Sequence, residues 1–241
     1  MQGIDLFSGA GGMSVGAAWC GVEVRYAIEV NKYAAQTFAL NHPGVALLNT
    51  DIRSISTANL DRIRRNEPVV VFGGPPCQGF STSNQKTRSV DNQNNWLFLE
   101  YVRVVREIMP DWVVFENVKG LVETENGYFL DAVLDAFRRL GYTTTHFILN
   151  SADYGVPQKR NRLFIIGSLN GTAVRTPRVT VDQHWNVMDA IGDLPDLENG
   201  DRRDISTYSV RPANEYAIQM RGDLANCWNN IVTNNAPHIL E

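Results

Sequence analysis

Four short segments of this 241-residue chain carry side chains of the kind that do chemistry. Asp5-Leu6-Phe7-Ser8-Gly9-Ala10-Gly11-Gly12 sets three glycines straight after an apolar run. A backbone turn there can approach a ligand closely and feed a helix N-terminus. Ser14 stands where the dinucleotide fingerprint G-x-G-x-x-G needs its last glycine, which argues against a pyrophosphate. Glu29 follows 24 residues after Asp5, at the end of a second apolar run, where an acid can take ribose hydroxyls. With Asp51 after the third run, the set suggests a nucleoside-bearing cofactor. The alternative, a glycine turn that only packs a helix, stays open on these residues alone.

Gly73-Gly74-Pro75-Pro76-Cys77-Gln78-Gly79-Phe80-Ser81 fixes a tight turn and places Cys77 in loop sequence. An exposed thiol beside backbone N–H groups is a candidate nucleophile. Burial as a small hydrophobe, the usual state of a free cysteine, fits Cys77 poorly and fits Cys20, on an apolar helical stretch, well. Phe115-Glu116-Asn117-Val118 puts a carboxyl at the end of an apolar run, where partial desolvation would make it a proton donor near neutral pH; a helix or turn cap is the competing reading. In Gln158-Lys159-Arg160-Asn161-Arg162 the two arginines share a face of extended chain and can clamp a phosphate or carbonyl, unless they only begin an exposed strand.

Short apolar runs at 4–7, 22–28, 45–48, 69–72, 112–115, 144–149 and 163–167 alternate with helical patterns at 13–20, 32–41, 57–65, 97–109 and 129–140. That alternation predicts βαβ units and a doubly wound α/β fold with a mostly parallel sheet. Ligands of such sheets bind at the carboxyl ends of the strands, which is where all four segments fall. After residue 167 the texture turns polar, with short helices expected at 187–194 and 214–221 and acidic loop at 195–209. The expected division is a catalytic domain at 1–170 and an incomplete second lobe at 171–241.

At 44% hydrophobic and 20% charged, the chain has material for one sizeable core and is not a disordered polymer. Residues 1–170 hold 16 Lys/Arg and 16 Asp/Glu, whereas 171–241 hold 6 Arg and 10 acids, so no bulk basic patch for nucleic acid exists. Three scattered cysteines and four histidines argue against a disulfide framework and a zinc site. With no membrane-length apolar run and no signal peptide, the expectation is a soluble intracellular protein.

Taken in order, the four segments resemble the cytosine-5 DNA methyltransferase family through residues 3–167. Pro75-Pro76-Cys77-Gln78 is similar to its nucleophile motif, Glu116-Asn117-Val118 to its acid motif, and Gln158–Arg162 to its QxRxR motif. The resemblance implies a Rossmann-like fold with S-adenosylmethionine held by Phe7, Gly9, Gly11, Gly12, Glu29, Asp51, Ile52, Pro75 and Leu97. It assigns Cys77 as nucleophile, Glu116 to the cytosine N3 edge, and Arg162, supported by Arg160, to the base carbonyl. Gln78, Ser81 and Asn117 would meet substrate, and Lys86 and Arg88, in a polar lid at 81–95, would meet phosphates. The substrate implied is duplex DNA with a flipped base, in a prokaryotic cytoplasm and within a restriction–modification system; no metal is required.

Two departures stand out. The lid ends in Asp91-Asn92-Gln93-Asn94-Asn95 without the family's arginine. The target-recognition domain and the final motifs have no counterpart before Glu241. A second polypeptide carrying them, or self-association, is therefore expected, and the chain alone should bind DNA feebly. The competing readings are a catalytically silent cofactor-binding half and an RNA cytosine methyltransferase, whose nucleophile motif typically reads Cys-Phe-Thr.

Overall fold

The computed structural model describes residues 1–56, 58, 60, 63, 66–76, 97–123, 127–229 and 231–236. Cys77, Gln78, Ser81, Lys86, Arg88 and most of the helix expected at 57–65 lie outside them. The described residues divide into two compact units, 1–149 with 161–177 and 150–160 with 178–241.

The first unit is built on seven strands in the order β3-β2-β1-β4-β5-β7-β6. These are β1 (Gln2–Leu6), β2 (Glu23–Ile28), β3 (Ala46–Leu48), β4 (Val69–Gly73), β5 (Trp112–Val118), β6 (Thr143–Asn150) and β7 (Asn161–Ser168). β1 to β5 are parallel to their neighbours, while β7 runs antiparallel to β5. The doubly wound, mostly parallel sheet expected from the sequence is present. Central strands β1 and β4 are buried on both faces, as a strand covered by helices on either side must be.

One face carries the main core. α3 (Leu97–Ile108) presents Phe98, Tyr101, Val104 and Val105, and α5 (Tyr128–Arg139) presents Phe129, Leu130, Val133 and Phe137. Both sets recur at helical spacing, so each helix turns one apolar stripe to the sheet. They close over Ile4, Leu6, Val71, Val113, Phe115, Leu163 and Ile165. Tyr101 is fully buried there because its hydroxyl lies 3.0 Å from the carbonyls of Val71 and Val114.

The other face is covered by α1 (Gly12–Trp19), with a smaller cluster of Val24, Val70 and Phe72 against Met13, Ala17, Trp112 and Val114. α2 (Lys32–Asn41) starts where Asn31 Oδ1 accepts the N–H groups of Tyr33 and Ala34. A four-residue α4 (Gly120–Glu123) follows β5. Cys20, expected inside, is exposed: it caps the C-terminus of α1, whose last turn, with Trp19, points to solvent.

The second unit holds α6 (Val187–Ile191), α7 (Glu215–Arg221) and a two-stranded antiparallel ladder of β8 (Ile205–Thr207) and β9 (Asn226–Trp228). β8 falls within the stretch read as loop; three residues are too few to show a period in the sequence. α6 is shorter than expected. Asn186 and Asp189 close its capping box, and Gly192 stops it. Cys227 is buried on β9.

Candidate active site

The segments singled out in the sequence that fall among the described residues of the first unit gather at the carboxyl edge of its sheet. β1 hands over to α1 through a turn in which Phe7, Gly9 and Gly11 have φ of 61°, 56° and 97°. A phenylalanine held in the left-handed region is strained, and such strain clusters at binding sites. Gly11 is required: a Cβ there would collide with the His42 ring and Phe38.

Glu29, 9% exposed, ends β2 and fixes this turn. Its Oε2 accepts from Gly9 N–H at 2.7 Å, and Oε1 accepts from Asn31 N–H at 2.7 Å. Each carboxylate oxygen keeps a second acceptor site, so the group can still take two hydroxyls. Asp51 caps the one-turn 3₁₀ segment Ile52–Ser54 by accepting Arg53 N–H at 2.9 Å.

Phe7, Glu29, Asp51, Ile52 and Leu97 line one cleft of about 280 Å³, together with Ile28, Val30, Thr50, Arg53 and Pro76. That volume is at the lower end for small-molecule sites. The proline in the lining is Pro76 rather than Pro75. Val30 was not singled out from sequence; only its place directly after the acid at a strand end points to it. An aromatic ring, an apolar floor and two carboxylates suit a nucleoside, one for a ribose diol and one for an exocyclic amine.

The second cluster lies where β4 and β5 end and the antiparallel β7 begins. Glu116 Oε1 is 2.9 Å from Arg162 Nε, a pair about one fifth exposed at each side chain. The register explains it: Glu116 opposes Phe164 and Arg162 opposes Val118, so the two are diagonal neighbours on one sheet face. Glu116 is therefore ion-paired, not a carboxyl alone in an apolar setting. Gly74 sits directly beneath it, where a Cβ would come within 2.6 Å of Glu116 Oε2.

Asn117, read from the sequence as a substrate contact, points the other way. It is 5% exposed, and its Nδ2 donates to Pro75 O at 3.1 Å while Oδ1 accepts Val118 N–H. It thereby pins the Pro75-Pro76 turn that leads into Cys77. Arg160 precedes β7 and belongs to the second unit, where its N–H donates to Asn150 Oδ1 and its carbonyl accepts Ser151 N–H. Among the described residues no group of three metal-binding side chains occurs, and no helix is long and apolar enough to cross a membrane.

A mostly parallel seven-stranded sheet with β7 antiparallel beside β5 and a Gly-rich turn after β1 is the fold of the S-adenosylmethionine-dependent methyltransferases. A protein described as a DNA modification methyltransferase encoded within a prophage of E. coli matches 96% of the chain and 66% of its own, with a TM-score of 0.76 at 26% identity. The family model for C-5 cytosine-specific DNA methylase matches residues 1–235, and the chain belongs to that family. The Type II methyltransferase M.DdeI of Desulfomicrobium norvegicum is 34% identical over 250 residues, which is all of this chain and 60% of that protein. M.AquIA of Picosynechococcus sp., also a Type II methyltransferase, is 37% identical over 188 residues, covering 73% of this chain and 75% of its own. The chain thus spans about 60% of M.DdeI and more of the shorter M.AquIA.

Proposed function

We propose that this chain is the catalytic part of a DNA (cytosine-5-)-methyltransferase that methylates C5 of a flipped cytosine through a covalent adduct on Cys77. One observation carries the reading. The Glu116–Arg162 pair is seated on Gly74, at the start of the turn that leads to Cys77, and that same turn contributes Pro76 to the nucleoside cleft.

The cleft residues fit S-adenosylmethionine: Phe7 would stack on adenine, Glu29 take the ribose hydroxyls, and Asp51 the adenine amine. Asp5 Oδ1, below the loop, is buried without a hydrogen-bond partner among the described residues, as a site made for a cationic ligand would leave it. When bound, that cofactor supplies an electrophilic methyl group on a sulfonium. Cytosine C5 is by itself a poor nucleophile. Cys77 thiolate would add to C6 and Glu116 would donate a hydrogen bond or proton at N3, so that the electron pair reaches C5 and makes it the nucleophile a methyl donor requires. The C5 proton then leaves to a base and Cys77 is eliminated, restoring the ring. Arg162 holds the base carbonyl and keeps Glu116 in place. Asn117 acts as a positioning residue by fixing the Pro75-Pro76 turn.

We further propose that residues 1–170 form the catalytic domain and that 171–241 belong to a recognition lobe. Transfer of labelled methyl to mixed-sequence duplex DNA, with single-stranded RNA in parallel, tests the reading. Incorporation into DNA that Cys77→Ser abolishes is expected; incorporation into RNA alone would overturn the substrate.

A further inference from the structure

Asp5 lies on β1, on the α1 side of the sheet, beneath the turn that carries Phe7, Gly9 and Gly11. It is 1% exposed. Its Oδ2 accepts from Ser14 Oγ at 2.6 Å, and Ser14 is itself fully buried in the first turn of α1. This bond joins the two ends of the cofactor loop. The other oxygen, Oδ1, is buried with no hydrogen-bond partner among the described residues.

The groups around it come from several elements. Glu29 approaches from the end of β2, held by Gly9 and Asn31. The Tyr101 hydroxyl lies below from α3, engaged with Val71 and Val114. His42, at the end of α2, meets the outer side of the loop, its Nε2 3.1 Å from Gly11 O. None of these is a lysine or arginine. Burial, the largest effect, pushes the Asp5 pKa up to about 7; the Ser14 hydrogen bond opposes this and the Glu29 charge adds to it. A carboxyl so placed is half protonated near neutrality and ionises when positive charge is brought close.

We propose that Asp5 is a positioning residue that distinguishes a positively charged methyl donor from its neutral demethylated product. This rests on the reading of the adjoining cleft as the S-adenosylmethionine site. At neutral pH the donor carries a sulfonium and an ammonium against one carboxylate, a net charge of +1. S-adenosylhomocysteine has lost the sulfonium charge and is net neutral. Donor binding then favours ionised Asp5, whose proton passes to solvent, and ionised Asp5 in turn favours the donor, since linkage is reciprocal. Once the methyl group has left, the positive charge is gone. Asp5 takes a proton back from solvent, and the product is released from that part of its attraction.

The test is calorimetric titration of the chain with each ligand at pH 7, in two buffers of different ionisation enthalpy, which counts protons directly. The quantity read is the difference between the wild-type chain and Asp5→Asn. For S-adenosylmethionine about half a proton released per ligand is expected, and for S-adenosylhomocysteine close to none. Donor affinity should rise up to about fivefold between pH 6 and pH 7 and about tenfold between pH 6 and pH 8, flattening above, while product affinity stays level. Should Asp5→Asn not fold, Ser14→Ala serves: losing the bond that lowers the Asp5 pKa moves the flattening to higher pH. Equal proton release with both ligands, or release that persists in Asp5→Asn, would overturn the inference while leaving the cofactor reading intact. No binding of either ligand would overturn the cofactor reading and the inference with it.

Discussion

Replacing Gly74 by alanine should separate catalysis from folding. The new Cβ would lie 2.6 Å from Glu116 Oε2, so the carboxylate must retreat by roughly 0.8 Å to reach an ordinary 3.4 Å contact. Gly74 is not among the residues with positive φ, so alanine fits the backbone, and the atom it meets is the end of a flexible side chain. Stability should therefore change by less than about 1 kcal/mol, with the lower entropy of the unfolded chain offsetting local strain. The Arg162 contact at 2.9 Å cannot survive such a retreat unaltered. A misplacement of about 1 Å at a reacting group costs roughly 100-fold in rate. Single-turnover methyl transfer, thermal melting and S-adenosylmethionine affinity would be measured side by side. The expected result is a rate lower by about two orders of magnitude with melting temperature and cofactor affinity nearly unchanged. A wild-type rate would refute the role of the Glu116 position, and a loss of cofactor affinity matching the loss of rate would refute its assignment to the base side.

Glu29→Gln places an amide NH₂ against a backbone N–H at Gly9 or Asn31 and should weaken S-adenosylmethionine binding by about 10- to 100-fold, read by calorimetry. Asn117→Ala removes the buried bond to Pro75 O; a stability loss of about 1–3 kcal/mol in denaturant titration should accompany a lower kcat with KM for the cofactor little changed. Asp5, at about 7 in the folded chain against 3.8 unfolded, makes the folded state bind more protons between those values. Its contribution is thus present below pH 4 and lost as pH rises to 7, on the order of 4 kcal/mol. Urea unfolding of wild type and Asp5→Asn from pH 4.5 to 7.5 should show the wild type losing stability relative to the variant; parallel curves would refute the burial argument.

The sheet and its edge were legible because each parallel strand is an apolar run followed by a loop, and chemistry at such edges follows from topology. The alternating burial of β5 was not, since half of its face depends on which helix covers it. Cys20 shows a limit of composition: an apolar helical stretch does not say which turn faces out. Glu116 was found as a carboxyl at a strand end, but its partner across the β5–β7 register is separated by 46 positions and only pairing of the strands brings them together. Asn117 adjoins Glu116 in sequence, yet the pleat turns it to the opposite face, where its side chain donates to Pro75 O.

The central claim is the bond between Cys77 and cytosine C6. A fluorine at C5 cannot leave as a proton does, so a mixed-sequence duplex containing 5-fluorocytosine would trap the adduct after methyl transfer. Incubated with S-adenosylmethionine and analysed by mass spectrometry under denaturing conditions, the wild-type chain should carry a DNA adduct mapped to Cys77, and Cys77→Ser none. An adduct formed equally by Cys77→Ser, or methyl incorporation into ordinary DNA with no adduct on the fluorinated duplex, would contradict the account.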